Sequence, residues 1–447
     1  MQTQRDHVHA HQFLMGRMSN ALVLGDPDTV ENPFSRAVTG LLAGILIAIL
    51  VVAGFGIYGW LVPGGSKAWQ QKDAIVVEKE SGTAYVYLDG ALHPTMNMAS
   101  ARLIQGAGAK IQLTARRSIQ DVPRGGLIGI PGAPQVLPDA KAMLSGPWLT
   151  CPDATGTKFG INLDARAPAD PFTDDRFAMV AAGGSSYLIW RGRRHQLTDQ
   201  AAPAALGLAN VVPVPVPPVW LNLLPEGEPV RAPQLDGAGQ AGATIAGKRR
   251  TVGTLFRQPV AGGAEQLFVL RQDGLSPINA TQFAFVQADR GDPAVDLVAA
   301  DVVAAPRSTD RSLQNLLPDL AAARWEDPRG RALCQRQRPT GPETLAATLV
   351  FTGMEHAARK ADGTARVRVP PGSALVAYPV PLAQPGQIPD PYLISDAGLR
   401  HLLPKGEALG ALGIGGDRLP MPESVLTAIG SGPDLYRDAV VVAGNGG

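Results

Sequence analysis

The chain has few aromatic residues, only two cysteines and almost no excess of charge. Phe, Trp and Tyr make up 5% of the 447 residues, and the net charge is +1. A chain without a basic excess has no bulk attraction to nucleic acid, so we expect no nucleic-acid partner. Gly (51) and Pro (39) are frequent, and hydrophobic residues reach 45%. This composition excludes a wholly disordered chain and favours many short strands and turns.

Sequence motifs that mark the common catalytic sites are also missing. The sequence contains no GxxxxGK[ST] phosphate-binding loop, no GxSxG, no HExxH and no EF-hand loop. Gly237–Gly242 (GAGQAG) matches GxGxxG, but Pro229 and Pro233 stand where such a loop requires a strand. We therefore interpret this segment as a linker. The sequence predicts no catalytic, cofactor-binding or metal-binding residue.

One long uncharged segment lies near the N-terminus. No charged residue occurs from Ala37 to Ser66, and Leu41–Trp60 is almost wholly apolar. Twenty helical residues rise about 30 Å, the thickness of the bilayer core. We predict one transmembrane helix at 37–62, because a cleaved signal peptide has a shorter apolar core and follows a shorter polar segment. Lys and Arg are equally frequent on its two flanks, which leaves the orientation open.

The two cysteines, Cys151 and Cys334, lie far apart in the sequence. Neither belongs to a CxxC motif, so the spacing does not favour a zinc site or a redox motif. Two interpretations remain open at this point, a single disulfide or two unrelated buried thiols. A disulfide would place the large region that follows the anchor outside the cytoplasm.

Residues 4–24 have the pattern of an amphipathic helix, followed by a C-terminal capping signal at Gly25. An apolar helix face of this kind binds a protein groove or the bilayer surface. Among the nearby histidines, His7 and His11 share a helical face but have no third ligand, which argues against a metal site. The predicted partner-docking residues are Val8, Phe13, Leu14, Arg17, Met18 and Leu22.

Four segments share one pattern, in which an apolar run, a Gly-containing turn, a second apolar stretch and an Ala-rich stretch follow one another. These segments are Tyr85–Ile104, Tyr187–Leu208, Leu267–Val286 and Tyr392–Gly413. Each predicts a β-hairpin with a short helix, which is too small to bury its own apolar face. Their irregular spacing argues against a solenoid and favours repeats arranged around a separate central module.

Histidine recurs after the turn in three of these segments. His93, His195 and His401 occupy near-equivalent positions, and the alignment places Leu275 there in the third segment. A position that accepts both His and Leu is more typical of packing than of chemistry. We therefore expect no catalytic or ligand-binding role for these histidines.

The expected fold is mainly β with short helices (α+β). Four hairpin-plus-helix units surround a central β module, and one transmembrane helix precedes them. We expect an N-terminal tail at 1–36, the membrane helix at 37–62 and a flexible tail at 438–447. The units are predicted at 72–128, 166–214, 241–310 and 386–437, and the parts of the central module at 129–165, 215–240 and 311–385.

Three parts of the sequence resemble the EccB family, the single-pass membrane subunit of the type VII (ESX-type) secretion system of actinobacteria. They are His11–Asp26 (HQFLMGRMSNALVLGD), the anchor after Arg36, and Tyr85–Arg102. The resemblance extends along the whole chain. It implies a single-pass protein of the inner membrane with a cytoplasmic N-terminus and an extracytoplasmic repeat region, and it implies that Cys151 pairs with Cys334.

The resemblance also implies partners and a role. The expected partners are the EccC, EccD and EccE subunits of the core complex, the mycosin protease and a second copy of the chain as a dimer. The expected role is a structural one, scaffolding the extracytoplasmic side of the translocon without a cofactor. One alternative is a membrane-tethered ATPase using ATP and Mg, since some members of the family carry that label. Another is a cell-wall-binding module.

Overall fold

A computed structural model describes residues 4–25, 33–61, 67–106, 108–263, 265–313, 319–320, 323–404 and 407–442. The chain divides into two compact units. The first comprises Met1–Trp69 with Thr114–Asp121, and the second comprises Gln70–Leu113 with Val122–Gly447.

The helices are short after the first two. They are α1 (Gln4–Leu24), α2 (Pro33–Leu61), α3 (Met98–Gln105), α4 (Ala202–Ala205), α5 (Pro218–Leu221), α6 (Ala280–Arg290), α7 (Ala299–Ala304), α8 (Glu407–Leu412) and α9 (Glu423–Ala428).

The strands are short throughout. Those before residue 200 are β1 (Ala74–Glu78), β2 (Ala84–Leu88), β3 (Ala91–Pro94), β4 (Lys110–Thr114), β5 (Ile128–Gly129), β6 (Trp148–Pro152), β7 (Phe159–Asn162), β8 (Asp170–Pro171), β9 (Arg176–Ala182), β10 (Ser185–Trp190) and β11 (Arg193–Leu197). Those up to residue 300 are β12 (Val214–Pro215), β13 (Ala241–Ile245), β14 (Lys248–Thr251), β15 (Leu255–Pro259), β16 (Glu265–Arg271), β17 (Gly274–Pro277) and β18 (Val295–Asp296). The remaining strands are β19 (Arg324–Trp325), β20 (Ala332–Pro339), β21 (Leu345–Thr352), β22 (Val367–Arg368), β23 (Leu375–Val380), β24 (Tyr392–Ile394), β25 (Leu399–Leu402), β26 (Leu419–Pro422), β27 (Gly430–Ser431) and β28 (Val441–Val442).

The first unit contains α1 and α2. Helix α1 has the predicted bounds, and Gly25 follows it with φ 67°, the left-handed conformation that ends many helices. Helix α2 contains an apolar stretch, Ala37–Gly59, with a mean hydropathy of 2.7 and no buried part. This stretch is long and apolar enough to cross a membrane, in agreement with the predicted span.

Four sheets of the second unit have the same strand order. The four strands that they share run β3-β2-β1-β4, β11-β10-β9-β12, β17-β16-β15-β18 and β25-β24-β23-β26, and we call these the first to the fourth sheet. The second sheet also contains β19 beside β9, and the fourth contains β27 beside β25. In each, three strands form an antiparallel meander, and a helix leads to a further strand beside the first one. That strand is parallel to its neighbour in the second, third and fourth sheets.

A separate central sheet has the order β22-β7-β6-β20-β21-β8. Cys151 on β6 and Cys334 on β20 form a disulfide across a sequence separation of 183 residues, which confirms the pairing implied by the resemblance. Their Cα atoms are 4.3 Å apart, the distance of directly opposed residues on antiparallel strands. The bond therefore joins two strands that the sequence separates widely.

Two tryptophans hold the strands of the central sheet to their neighbours. The indole N–H of Trp148 donates to Oε1 of Gln337 at 2.8 Å. The indole N–H of Trp220 on α5 donates to the carbonyl of Thr150 at 2.9 Å, and the Gln335 amide donates to the carbonyl of Trp220 at 2.8 Å. Because both indoles are fully buried, these bonds satisfy donors that would otherwise be costly to bury.

The largest core joins the central sheet to the second and fourth sheets. It contains Phe159 and Phe351 of the central sheet, Val180 of the second and Ala377 of the fourth. The first sheet packs on the fourth through α3 and α8, and the second packs on the third through α4 and α6. The second and fourth sheets are therefore the inner pair, and the first and third are the outer pair.

Two strands pair with sheets other than those that the predicted domain bounds imply. Strand β23, in the predicted central segment 311–385, belongs to the fourth sheet. Strand β28, in the predicted flexible tail 438–447, pairs with β5. The last five residues of that tail, 443–447, lie outside the described residues, as does residue 62 at the end of the predicted span.

We expect the disulfide to contribute strongly to the stability of the second unit. Replacing both cysteines by alanine removes the constraint on a long loop, which the chain-entropy model values at about 5 kcal/mol. Denaturant unfolding of the detergent-solubilised full chain should show a lower midpoint for the C151A/C334A variant. Reductant should lower the midpoint of the native chain and leave that of the variant unchanged. Two free thiols in non-reducing mass spectrometry would contradict the assignment.

Candidate functional site

Helix α1 exposes most of the side chains predicted to dock a partner. Successive residues lie about 100° apart on a helix, so Val8, Leu14, Met18 and Leu22 fall on one side. Each of these is more than half exposed. A stripe of exposed apolar side chains on a helix is typical of a protein-binding surface. We call these four residues the α1 stripe.

The other two predicted docking residues do not belong to the α1 stripe. Phe13 lies on nearly the opposite side of the helix, also more than half exposed, with the Arg17 guanidinium 5.8 Å from its ring centroid. The six predicted docking residues are therefore distributed over two sides of the helix, with Phe13 and Arg17 outside the α1 stripe. The sequence pattern concealed this, because apolar residues that are adjacent in the sequence, such as Phe13 and Leu14, face different directions on a helix.

A third side of α1 is less exposed. Among the residues from Gln4 to Val23, only Gly16, Ser19 and Asn20 are not fully exposed, and Asn20 is buried. Helices α1 and α2 contact each other within the first unit. Small residues at this side allow close approach of another backbone. Helix α1 therefore offers two exposed apolar sides beside one covered side.

Three of the four sheets contain a histidine that packs on a glycine from a later segment. His93, His195 and His401 lie on the third meander strand of their sheets, and their rings face Gly125, Gly227 and Gly432. A Cβ atom at any of these glycines would fall far inside the van der Waals radius of the histidine ring. Since the ring leaves no room for a methyl group, the histidine requires glycine opposite it.

Each ring also bonds to the segment that carries its glycine. The Nδ1–H group donates to the carbonyl of Gly126 at 3.2 Å, of Glu228 at 2.8 Å and of Pro433 at 3.0 Å, respectively. The partners are 33, 33 and 32 residues apart in the sequence. We call this arrangement of ring, glycine and carbonyl the His–Gly clasp. It attaches the returning segment to the edge of the sheet.

The third sheet has serines in place of the clasp. In the other three sheets the clasp histidine lies opposite a residue of the middle meander strand, and the pairs are Val86–His93, Leu188–His195 and Leu393–His401. In the third sheet Val269 has this position in the middle strand, and Ser276 lies opposite it. The expectation that Leu275 occupies this position is therefore wrong by one residue. A one-residue shift moves a side chain to the other face of the sheet, so only the strand pairing identifies Ser276.

The glycine position differs in the third sheet as well. The segment that returns along the sheet edge pairs Arg194 with Glu226 and Leu275 with Arg307. The following residue is Gly227 in the second sheet and Ser308 in the third. Ser276 and Ser308 are both buried. Two serines thus occupy the positions that histidine and glycine have in the other three sheets.

Two of the clasp histidines are neutral at physiological pH. Burial lowers the pKa of His195 and of His401, and it outweighs the carbonyl hydrogen bonds that favour the charged form. In His401 the remaining nitrogen, Nε2, lies 3.3 Å from the Ser395 hydroxyl. These rings act as structural donors, in agreement with the expectation of a packing role.

A cleft of mixed charge, about 790 Å³ in volume, lies between the first and fourth sheets. Lys72, Arg437, Asp89 and Asp438 line it together with Tyr87 and Tyr436.

The GxGxxG segment turns at Gly237–Gln240 and continues into β13 rather than into a helix. Across the part of the chain that the structure describes, no three His, Cys, Asp or Glu side chains are grouped so that they could hold a metal ion.

The chain matches a known protein family over nearly its whole length. The family described as "Type VII secretion system ESX-1, transport TM domain B" matches residues 1–446. The chain belongs to this family, the EccB family. The match includes α1, the candidate membrane span and all four sheets.

Curated EccB proteins resemble the chain over nearly its whole length. The ESX-1 secretion system ATPase EccB1 of Mycobacterium tuberculosis is 25% identical, covering 98% of this chain and 94% of that protein. The ESX-3 secretion system ATPase EccB3 of Mycolicibacterium smegmatis is 27% identical, covering 98% and 90%. The ESX-2 secretion system ATPase EccB2 of M. tuberculosis is 28% identical, covering 93% and 88%.

Solved EccB structures share the fold. A chain of the periplasmic assembly from the ESX-5 inner membrane complex superposes with a TM-score of 0.62 at 23% identity, covering 86% of this chain and 98% of that one. The EccB3 dimer from the ESX-3 core complex gives 0.60 at 24% identity, covering 83% and 100%. A chain of an intact ESX-5 inner membrane complex gives 0.59 at 22% identity, covering 99% and 95%.

The clasp in this EccB protein predicts a pair of coupled substitutions. Gly227→Ala should destabilise the fold by about 1–3 kcal/mol, because the new methyl group overlaps the His195 ring. The double variant His195→Ser/Gly227→Ser, which copies the third sheet, should be more stable than Gly227→Ala alone. Denaturant unfolding measures both. Gly410→Ala, in α8 with open space around it, is the matched control and should cost nothing. Equal losses in Gly227→Ala and in the control would refute the clasp.

The same pairs predict a dependence of stability on pH. In the unfolded chain histidine titrates near pH 6.5, whereas the folded pKa values of His195 and His401 are lower. The unfolded state therefore binds more protons as the pH falls below about 6.5, and the free energy of unfolding decreases. Above that pH the contribution is fully present. Denaturant unfolding between pH 7 and 5 should show this loss. Replacing both pairs by Ser–Ser should flatten the slope, and an unchanged slope would contradict the assignment.

Proposed function

We propose that this EccB protein is a structural, membrane-anchored subunit of a type VII secretion complex and scaffolds its extracytoplasmic side. The observation that supports this most strongly is a fold with one membrane span preceded by a helix that exposes apolar side chains on two sides. An exposed apolar helix beside a span needs partners in or at the membrane. The family match over the whole chain identifies the machine in which such partners occur.

The proposed topology has the N-terminus in the cytoplasm and the second unit outside it. The Cys151–Cys334 disulfide supports this orientation, because structural disulfides persist in oxidising compartments. The ESX-5 relative, which belongs to a periplasmic assembly, is consistent with it. The flanking charges are balanced and support neither direction. The chain is then a single-pass protein of the inner membrane.

The four sheets are proposed to be four copies of one repeat unit around the central sheet. Their common strand order supports this, as does the clasp at the same position in three of them. The inner copies attach to the central sheet, and the outer copies attach to the inner ones. Such an arrangement joins all four sheets to one packed assembly with the central sheet, which is what a scaffold requires.

The proposed partners are EccC, EccD and EccE, the mycosin protease and a second copy of the chain. Purification of the tagged full-length protein from native membranes in a mild detergent tests the proposal directly. We expect the other core subunits to copurify with it. Recovery of the chain alone, from membranes that contain the other subunits, would overturn the scaffold role.

Helix α1 is proposed to dock the cytoplasmic parts of those subunits. Introducing charge on the α1 stripe, with Met18→Glu and Leu22→Glu, should reduce copurification of the other subunits while membrane insertion is retained, because α2 alone carries the span. Phe13→Ala with Arg17→Ala tests the opposite side of the helix independently. Gln12→Glu, at an exposed polar position outside both tested sides, is the control. Undiminished copurification in both test variants would refute docking through α1.

ATP hydrolysis is the second proposed candidate, since the curated relatives are named ATPases. The cleft lined by Lys72 and Arg437 supports it only in offering two cations for phosphates and two carboxylates for Mg. The purified full chain with ATP and Mg is assayed beside Lys72→Ala/Arg437→Ala. Lys248→Ala/Arg249→Ala, at exposed positions of β14, is the control. Turnover that persists in the cleft variant would eliminate the cleft as the site.

A further inference from the structure

A second cavity, about 560 Å³ in volume, lies where the central sheet meets helices α5 and α9. The central sheet contributes the turn before β7, with Lys158, and the segment 365–367 at its edge strand β22. Helix α5, which follows the second sheet, contributes Val219, and α9, which follows β26 of the fourth, contributes Ser424. Cavities of this size at the junction of packed parts are common ligand sites. We call it the junction cavity.

The polar side chains that the junction cavity offers to a ligand are hydrogen-bond donors. Within the part of the chain that the structure describes, the side chains of Lys158, Arg366 and Ser424 form no hydrogen bond or ion pair with another residue. Two of the three are cations, and the third is a hydroxyl. The described residues that line the cavity include no Asp or Glu. A ligand that satisfies these groups therefore carries acceptor oxygens and negative charge.

The turn that carries Lys158 is fixed by its own hydrogen bonds. The carboxylate of Asp153 accepts from the N–H group of Thr157 at 3.0 Å, and the N–H group of Asp153 donates to the carbonyl of Lys158 at 2.8 Å. Gly156, with φ 69°, packs so closely on Pro215 that a Cβ atom would overlap the proline backbone. The backbone of this cation is thus in place before a ligand binds, which lowers the entropy cost of binding.

Strand β22 adds a backbone donor at the edge of the central sheet. The carbonyls of Arg366 and Arg368 each accept a hydrogen bond of 2.9 Å from the segment 161–163, so both residues face β7. Alternate residues direct their N–H and C=O groups to opposite edges, so those of Val367 point away from β7. The Val367 carbonyl lies close to Gly398, whereas its N–H group has no hydrogen-bond partner among the described residues. An edge donor of this kind suits the backbone of an extended peptide.

We propose that the junction cavity binds an extended acidic segment of a partner polypeptide. Carboxylates of the segment pair with Lys158 and Arg366, and a carbonyl of its backbone accepts from the N–H group of Val367. Successive side chains of an extended chain point to opposite sides. Alternating acidic and apolar residues therefore place carboxylates on the cations and apolar side chains against Phe159 and Val219, which also line the cavity. The site goes beyond the proposed scaffold role and does not depend on it.

Binding of a synthetic peptide tests the proposal. The probe is the fluorophore-labelled pentapeptide Val-Glu-Val-Glu-Val, and fluorescence polarisation measures its binding to the full chain in a non-ionic detergent. We expect saturable binding that weakens with added salt, because the ion pairs are screened. The neutral peptide Val-Gln-Val-Gln-Val, of nearly the same shape, should bind about tenfold more weakly. Equal affinity for the two peptides would overturn the proposal.

Variants of the chain identify the junction cavity as the site. Lys158→Gln/Arg366→Gln should weaken binding of the acidic peptide about tenfold. Lys248→Gln/Arg249→Gln, which also removes one lysine and one arginine at exposed positions, is the matched control and should bind as the native chain does. Val219→Asp, at a position 46% exposed, should also weaken binding, because it adds a like charge. Undiminished binding in both cavity variants would refute the site, and unchanged unfolding midpoints show that the fold is retained.

Two further measurements define the occupant. Hydrogen exchange at the N–H group of Val367 should slow when the acidic peptide is bound, and an unchanged rate would contradict pairing with β22. Free glutamate should not displace the peptide at equal concentration. Displacement at that concentration would mean a site for small carboxylates and would overturn a polypeptide as the occupant. Absence of peptide binding while EccC, EccD and EccE still copurify with the native chain would refute the junction cavity as a site and leave the scaffold role intact.

Discussion

The pairing of β6 with β20 is the constraint on which the second unit depends. These strands come from segments 183 residues apart at their cysteines, and the disulfide joins them at directly opposed positions. Everything between them, including the second and third sheets, forms a loop that this pairing closes. Closing so long a loop lowers the chain entropy considerably. Because the disulfide keeps the loop closed in the unfolded chain as well, most of this entropy is not lost again on folding. The tryptophan hydrogen bonds then fix α5, and with it the second sheet, to the same strands.

One helical position distinguishes the inner sheets from an outer one. The third residue of the helix after the parallel strand is Trp220 in α5 and Val425 in α9, both in the core shared with the central sheet. The corresponding residue in α7 of the third sheet is Asp301, whose carboxylate accepts a hydrogen bond from the N–H group of Val298. An apolar residue at this position joins its sheet to the central core. A carboxylate there instead caps its own helix and leaves the sheet outside that core.

The sequence alone could predict those features that depend on local composition. The span, helix α1 and the alternation of short strands with short helices follow from apolar runs, periodicity and turn residues. The strand register could not be predicted, because Leu275 and Ser276 are equally compatible with a short apolar stretch, and only pairing with Val269 distinguishes them. The two sides of α1 were missed for a similar reason, since Phe13 and Leu14 are adjacent in the sequence. The membership of β23 in the fourth sheet also depends on long-range pairing that no local pattern contains.

The His–Gly clasp has a consequence for how this chain can change over evolutionary time. Replacing the glycine first creates a steric overlap, and replacing the histidine first leaves a cavity and removes a hydrogen bond. Each single step is therefore unfavourable, although the Ser276–Ser308 pair demonstrates that a double replacement is accommodated in the same fold. The two positions are therefore expected to change together, although they lie far apart in the sequence. Serine at the glycine position is native in the third sheet, where serine also lies opposite it, so the effect of a replacement at this position is determined by the residue that it faces.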